Sequence, residues 1–450
     1  MNGLLSFAGK MQSNPVLSSI KDSFIDIMPV TIMGSFCTLF QFVLSSDKAM
    51  GYDISLANVP GFHWLTELYS VWSTANYGCM NFMAVLIAFM VAVHFSEQLG
   101  HVNDRTAPAV SVACFVTLIT TTVTGTVTTE AGEEVAYSVG GVVPSSFTNA
   151  SGLFVALIVG LLSTLLYCKL IDSGKLTIKL PDSVPPNVSQ SFAVLFPTVI
   201  TVFVFSLVNF IMQKFLNLSF FSLIATIMAP VQAIMTGLPG YLVVVLIMML
   251  LWWFGIHGPN VMSAVTTPFM NLAWANNEEI WKATQSTCAS AHAVISTGED
   301  VKMSIINAPF GSAFFSHTGS GITGGLIIAI MLFSKRDDFK AIAKLAIPCG
   351  IFNINEPIIF GIPMVMNPLL GIPFFLAPVV SVTVGYILTA IGLCPVMVVN
   401  APWTTPTGIL GFLASGGNIM GGLCQLIAFA TSILVYTPFV IISNTQAQEA

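Results

Sequence analysis

Charge is what this chain lacks. Only 8% of its 450 residues are Asp, Glu, Lys or Arg, against about 25% in a soluble domain. That is too few to solvate the surface of a globule this size, so a water-soluble fold is excluded. The 55% apolar content points to a polytopic integral membrane protein. There is no basic tract or aromatic-basic patch, so no nucleic acid partner is expected. The eight cysteines (37, 79, 114, 168, 288, 349, 394, 424) stand singly and form no Cys-x-x-Cys pair. Neither a zinc site nor a disulfide framework is expected; they read as small buried hydrophobes. A Gly-x-x-x-x-Gly-Lys-[Ser/Thr] loop, a Ser/His/Asp set and a metal cluster are all missing. No cofactor or metal is therefore expected. The energy for any transport must come from an ion gradient or a separate protein. Met1–Lys21 has no continuous apolar core or small-residue cleavage site and is not read as a cleavable signal.

Membrane spans need about 20 mainly apolar residues. Candidate runs lie near 24–46, 75–98, 107–126, 152–172, 190–213, 239–257, 319–334, 367–392 and 419–443, with a tenth starting after Lys344. Lys10 and Lys21 precede the first run. Arg105 lies in the second loop, and Lys169, Lys175 and Lys179 in the fourth. The third loop, around 127–150, has no Lys or Arg but three Glu. The alternation puts the N-terminus in the cytoplasm. Lys335, Arg336, Lys340 and Lys344 form the densest basic cluster and argue for the same side.

The second half is rich in Gly, Pro, Asn and Thr at membrane depth. Non-helical backbone is tolerated there only where it is buried in protein or lines a wet cavity. A weak internal repeat accompanies this composition. Asn307-Ala-Pro-Phe310 precedes Gly319-Ser-Gly-Ile-Thr-Gly-Gly325, and Asn400-Ala-Pro-Trp403 precedes Gly416-Gly-Asn-Ile-Met-Gly-Gly422. The fold expected is an all-α polytopic membrane protein of about ten transmembrane helices, with two re-entrant hairpins in the C-terminal half. Residues 1–215 would form a scaffold, 216–237 a connecting amphipathic segment, and 238–450 a transport unit.

Between Lys344 and Glu449 the only Asp, Glu, Lys, Arg or His is Glu356. A lone carboxylate in an apolar interior needs partners or water and marks a functional site. It suits two roles: an ionised acceptor for one or two hydroxyls, or a base for a hydroxyl that attacks a phosphoryl group. The alternative is a carboxylate that caps backbone N–H groups freed near Pro357. Asn353 and Asn355 add amides that both donate and accept. His257 is the only titratable group between Lys214 and Glu278 apart from Tyr241, and Gly255, Gly258 and Pro259 break the helix around it. Its ring suits a sugar hydroxyl; a structural His on a backbone carbonyl is the other reading. Trp252, Trp253 and Trp403 either stack on sugar rings or serve as interfacial anchors. Asn187, after the prolines of Lys179-Leu-Pro-Asp-Ser-Val-Pro-Pro, either aims an amide at the cavity or simply starts a helix.

These motifs together resemble the enzyme IIC membrane subunit of the sugar phosphotransferase system, in its lactose/cellobiose/diacetylchitobiose family. The residues are Lys179-Leu-Pro-Asp-Ser-Val-Pro-Pro-Asn187, Phe254-Gly-Ile-His-Gly258, Phe352-Asn-Ile-Asn-Glu-Pro-Ile-Ile-Phe-Gly361 and Ala401-Pro-Trp-Thr-Thr-Pro-Thr-Gly408. The resemblance covers nearly the whole chain. It implies a homodimer in the bacterial cytoplasmic (inner) membrane. The first five spans would dimerise, and the last five would carry the sugar by an elevator-like movement. It further implies phosphorylation of a β-linked disaccharide at its 6-hydroxyl by a phosphocysteine on enzyme IIB. That donor would be a separate polypeptide, recharged through enzyme IIA and the phosphocarrier protein. By motif, His257, Asn355 and Glu356 contact sugar, with Glu356 as base or hydroxyl-orienting group. Trp403, Asn187, Trp252 and Arg105 are further contacts that the resemblance suggests. Two competing classes are an ion-coupled secondary sugar transporter with Glu356 as proton carrier, and a sugar sensor without transport.

Overall fold

The computed structural model of the protein describes residues 13–47, 55–128, 134–178, 180, 181, 183–362, 364 and 366–446. In chain order the main elements begin with α1 (Pro15–Phe40), α2 (Tyr69–Met80), α3 (Met83–Gln98) and α4 (Thr106–Thr117). A strand pair, β1 (Thr122–Thr128) and β2 (Glu134–Gly140), precedes α5 (Leu153–Asp172), α6 (Pro186–Ala193), α7 (Leu195–Ile211) and α8 (Phe220–Thr236). Next come α9 (Leu238–Trp253), α10 (Gly258–Thr284), β3 (His292–Val294), β4 (Asp300–Lys302), α11 (Ala308–Phe314) and α12 (Thr323–Phe333). The chain continues through α13 (Asp337–Ile351), α14 (Glu356–Gly361), α15 (Pro368–Ala390), α16 (Ile409–Ala414) and α17 (Ile419–Gln446).

The protein is mostly helical, but it is not all-α. β1 pairs antiparallel with β2, from Thr122 opposite Gly140 to Thr128 opposite Glu134. β3 pairs with β4, His292 opposite Lys302. The first pair is written in the run Thr122-Val-Thr-Gly-Thr-Val-Thr128, whose β-branched side chains favour the pleated backbone over a helix. Among the described residues, five helices are long and apolar enough to cross a membrane: Pro15–Ser45, Ala150–Asp172, Leu195–Leu216, Pro368–Ala390 and Ile419–Asn444. Counting each of two bent pairs, His63–Gln98 and Phe220–Trp253, as one span brings the number to seven. The apolar α4 and α12 have only 12 and 11 residues, short of the roughly 20 that a straight span needs. The higher sequence-based count of about ten includes runs such as these.

The chain divides into two compact units, one of 13–29 and 78–231, the other of 30–77 and 232–450. In the first, α3, α4, α5 and α7 pack on one another. A Cβ at Gly160 would stand 2.9 Å from Val91, so glycine is what lets α5 lie close on α3. Ser111 Oγ donates to the Ala88 carbonyl at 2.8 Å, and Asn209 Nδ2 to the Thr117 carbonyl at 2.9 Å. The second bond satisfies an end-of-helix acceptor that α4 cannot pair itself.

In the second unit α15 and α17 form the longest contact, with α9 on α15 and with α12 and α16 on α17. The short helices α11 and α16 also pack together. Each leads through a glycine-bearing loop into a longer helix, α12 or α17. The repeated Asn-Ala-Pro motifs are not equivalent in this pattern. Asn307 caps α11 directly, accepting from Phe310 N at 2.9 Å, whereas Asn400 lies in irregular chain nine residues before α16. Between α15 and α16 the chain is irregular, with Val396, Met397, Val398 and Val399 at most 1% exposed. Backbone this deeply buried must find partners, and it does so far away in sequence. Val396 N donates to Thr287 O, and Val398 N and Val399 N donate to Ala414 O. Asn307 Nδ2 donates to Met397 O at 2.9 Å, and Trp274 Nε1 to Val398 O at 3.0 Å.

Candidate functional site

His257, Asn353, Asn355, Glu356, Trp252, Trp253 and Trp403, all singled out in the sequence, lie in the second unit. The break between α9 and α10 places the first. Gly255 turns the chain with φ +81°, and His257 becomes the cap of α10, its Nδ1 accepting from Asn260 N at 3.2 Å. An accepting Nδ1 leaves the neutral ring's proton on Nε2 as a donor. A Cβ at Gly258 would stand 1.9 Å from the Met248 carbonyl oxygen, so the backbone there runs hard against α9. Trp252 is 3% exposed, its ring centroid 4.7 Å from that of His257. It packs on the imidazole, and its Nε1 has no hydrogen-bond partner among the described residues. Trp253 packs on α15 instead, donating from Nε1 to the Asn367 carbonyl at 3.2 Å.

The segment after α13 places the next three. Asn353 sits in the left-handed region at φ +65°, a conformation asparagine tolerates better than most residues. The turn it makes sets Glu356 at the first position of α14, followed by Pro357, which suits a first helical turn. Sequence reasoning treated Glu356 as a carboxylate in an apolar interior; here it is exposed. Its carboxyl lies within electrostatic range of the His257 ring. Asn355 is 5% exposed and donates from Nδ2 to Ser320 O at 2.6 Å. Trp403 is 48% exposed, so its ring is open to a ligand.

The loop Phe315–Ile322 packs against this segment. Thr318 and Ile322 adopt φ +56° and +50°, and Gly319 and Gly321 lie at +88° and +83°. Positive φ is an outlier for β-branched residues and costs about 1–3 kcal/mol each. Neighbours hold the loop in that shape. Thr318 N donates to Asn353 Oδ1 at 2.6 Å, Gly324 N to Thr318 Oγ1 at 3.2 Å, and Tyr436 OH to Gly321 O at 2.7 Å. A Cβ at Gly319 would lie 2.5 Å from Asn355, and one at Gly321 would lie 2.2 Å from Phe374.

Two expected contacts belong to the first unit. Arg105 is exposed at the cap of α4. Asn187 is the second residue of α6, and its side chain lies outside the described residues. Sequence reasoning missed a buried ionic cluster. Glu278 Oε1 accepts from Thr38 Oγ1 at 2.6 Å and Asn76 Nδ2 at 3.1 Å, and it stands 2.8 Å from Lys282 Nζ. Lys282 also donates to Asn76 Oδ1 at 2.8 Å. The one available signal was the Glu-x-x-x-Lys spacing, which puts both side chains on one helix face.

An exposed indole, an exposed carboxylate and an imidazole with a free N–H donor suit a hydroxyl-rich ligand with an apolar ring face. The family model described as "Phosphotransferase system, EIIC" matches residues 21–378. The lichenan permease IIC component of Bacillus subtilis (strain 168) is 33% identical over 97% of this chain and 91% of its own. The cellobiose-specific EIIC component of Lactococcus lactis subsp. lactis (strain IL1403) is 30% identical over 98% and 96%. The lactose-specific EIICB component of Streptococcus mutans serotype c is 27% identical over 99% of this chain and 72% of its own length. Among solved structures, the transporter ChbC is the IIC component from the N,N'-diacetylchitobiose-specific phosphotransferase system. It superposes with a TM-score of 0.85 at 29% identity, covering 99% of this chain and 98% of that one.

Proposed function

The chain belongs to the phosphotransferase system EIIC family, and from that premise we propose that it binds a β-linked disaccharide of the cellobiose, diacetylchitobiose or lactose type and presents its 6-hydroxyl to phospho-enzyme IIB. The observation that carries this reading is the exposed Glu356 carboxylate, in electrostatic reach of His257 and flanked by Asn355. Trp403 offers a ring face, His257 Nε2 a donor, and Glu356 and the Asn355 carbonyl acceptors. Together these match the alternating donors, acceptors and C–H faces of a sugar. Glu356 then orients the 6-hydroxyl or takes its proton as the phosphoryl group arrives. Supporting the sugar class, the relatives named for cellobiose and diacetylchitobiose align over almost the full chain.

The phosphoryl donor in this reading is a separate enzyme IIB, which the lactose-specific relatives carry as an EIICB chain. It would be recharged through enzyme IIA and the phosphocarrier protein. The protein works in the bacterial cytoplasmic membrane as a homodimer with its N-terminus inside, with about ten spans and with α11 and α16 as the descending arms of two re-entrant hairpins. Residues 1–215 serve as scaffold and dimer contact, 216–237 as connector, and 238–450 as the part that carries the sugar in an elevator-like movement. Arg105 and Asn187 are further sugar contacts that the family resemblance suggests, and Trp252 supports the His257 ring.

Inside-out and right-side-out membrane vesicles test the reading. Sugar should appear on the cytoplasmic side as its phosphate, and only when phospho-IIB is supplied to that side. Free sugar accumulating under a proton gradient would replace it with ion-coupled transport.

A further inference from the structure

The Asn353 amide is fully committed. It is 4% exposed, and both N–H groups of Nδ2 are used, one on the Trp403 carbonyl and one on the Thr405 carbonyl at 2.8 Å. Its Oδ1 accepts from Thr318 N at 2.6 Å. An asparagine side chain has two donors and one carbonyl, so none of its donors is left for a sugar. The three backbone groups it holds come from two chain segments that are remote in sequence: the strained loop that supports Asn355, and the irregular stretch that bears Trp403. Asn353 itself lies three residues before Glu356. One buried side chain therefore joins the carboxylate's segment, the loop under Asn355 and the backbone of the exposed indole.

The stretch that carries Trp403 forms neither helix nor strand. Thr405 N bonds locally to Pro402 O, and the next side-chain tie is at Gly408, whose N–H donates to Gln425 Oε1 at 2.7 Å.

We propose that Asn353 is a positioning residue that fixes Trp403 relative to Glu356, so that it sets the gap in which a sugar ring is held without touching the sugar. This rests on the reading of Trp403 and Glu356 as sugar contacts. The geometry makes a specific demand on energetics: Asn353 matters to binding through Trp403, so the two must couple. Groups that share a hydrogen-bonded contact give non-additive effects, and remote groups add.

The test is a double-mutant cycle on the full-length protein in detergent, with sugar affinity measured by calorimetry against cellobiose and diacetylchitobiose. Asn353→Gly keeps the left-handed backbone and removes the amide. Asn353→Asp keeps the bond to Thr318 N, loses both donors to 403 and 405, and serves if the glycine variant does not fold. Asn353→Asp should weaken binding about tenfold with Trp403 present and less than about twofold in a Trp403→Ala background, and Asn353→Gly, which also loses the Thr318 bond, should cost more with Trp403 present than without it. Equal losses in both backgrounds would mean a general structural role and overturn the proposal. If Trp403→Ala alone leaves affinity unchanged, the sugar-contact reading of Trp403 fails and the proposal with it. If Trp403→Ala weakens binding and Asn353 variants do not, only the positioning role fails.

Discussion

Glu278 and Lys282 stand 2.8 Å apart on α10, with the Glu278 side chain 3% exposed and that of Lys282 31% exposed. The asymmetry in burial makes a directional prediction. Removing one partner of a buried pair leaves the other charge uncompensated, at a cost of about 3–5 kcal/mol. Lys282→Met leaves the carboxylate buried, whereas Glu278→Gln leaves an ammonium that can bend toward water. Lys282→Met is therefore expected to lower thermal stability more than Glu278→Gln, and the double variant less than Lys282→Met alone. Scanning calorimetry or a thermal-shift series in detergent reads this order directly.

Glu356→Gln keeps the side chain's size and one acceptor but removes the base. Sugar affinity should fall by less than about tenfold, while phosphoryl transfer from phospho-IIB falls about 10²–10⁴-fold, the usual span for general acid–base catalysis. Unchanged transfer would leave Glu356 with no part in the chemistry. Equilibrium binding and a radiolabelled phosphate assay on the same preparation separate the two effects.

His257 has two jobs that substitutions can divide. As the cap of α10 it accepts from Asn260 N, and asparagine fills that role well. His257→Asn should melt close to the native protein and yet bind sugar about tenfold more weakly, because the Nε2 donor is lost. His257→Ala should lose both, with about 1 kcal/mol of stability gone with the cap.

Gly319 and Gly392 form a controlled pair. Both have positive φ, +88° and +80°, but a Cβ at Gly319 would strike Asn355 at 2.5 Å while one at Gly392 meets nothing within 4 Å. Alanine at either position pays backbone strain of about 1–3 kcal/mol. Only Gly319→Ala should also depress sugar affinity, by moving Asn355. Equal affinities in the two variants would remove Asn355 from the sugar contacts.

On the cytoplasmic face of the proposed topology, Lys335 is exposed, whereas Arg336 is already held by both carboxylate oxygens of Asp338 and lies 3.7 Å from the Phe339 ring centroid. The same contact holds the Asp338 carboxyl below the usual carboxylate range. A negatively charged phospho-IIB should therefore feel Lys335 more than Arg336. Lys335→Glu is expected to raise the KM for phospho-IIB more than Arg336→Glu, with sugar affinity unchanged; steady-state kinetics at low ionic strength measures it.

How much of this was legible beforehand depends on the residue. Glu356 and His257 stood out because charge and titratable groups are scarce in their surroundings, and both fall at helix breaks in the structure. The membrane class followed from composition alone. The strand pairs were less visible, since β1 continues an apolar-looking run and only its Thr-Val alternation separates it from a helix. Asn353 was read as an amide near the site, but nothing in the sequence tells a side chain that faces ligand from one spent on backbone carbonyls fifty residues away. Trp252 and Trp403 look alike as letters, and burial alone distinguishes the ring behind His257 from the open one. The Glu278 cluster was hidden because Thr38, Asn76 and Glu278 are separated by up to 240 residues.

The buried irregular stretch Val396–Val399 has a consequence for how the protein is made. Its hydrogen-bond partners include Trp274 and Asn307, 124 and 90 residues earlier, and Ala414, which follows it. None of these bonds is local, so loop-closure entropy must be met before any of them forms. During synthesis, α9 through α15 emerge with an unfilled slot, and α16 must arrive before the slot can close. The Trp403 segment follows directly from that stretch, so the ligand site is completed late in folding. Hydrogen exchange followed through refolding should show Val398 and Val399 gaining protection after the helical amides of α15.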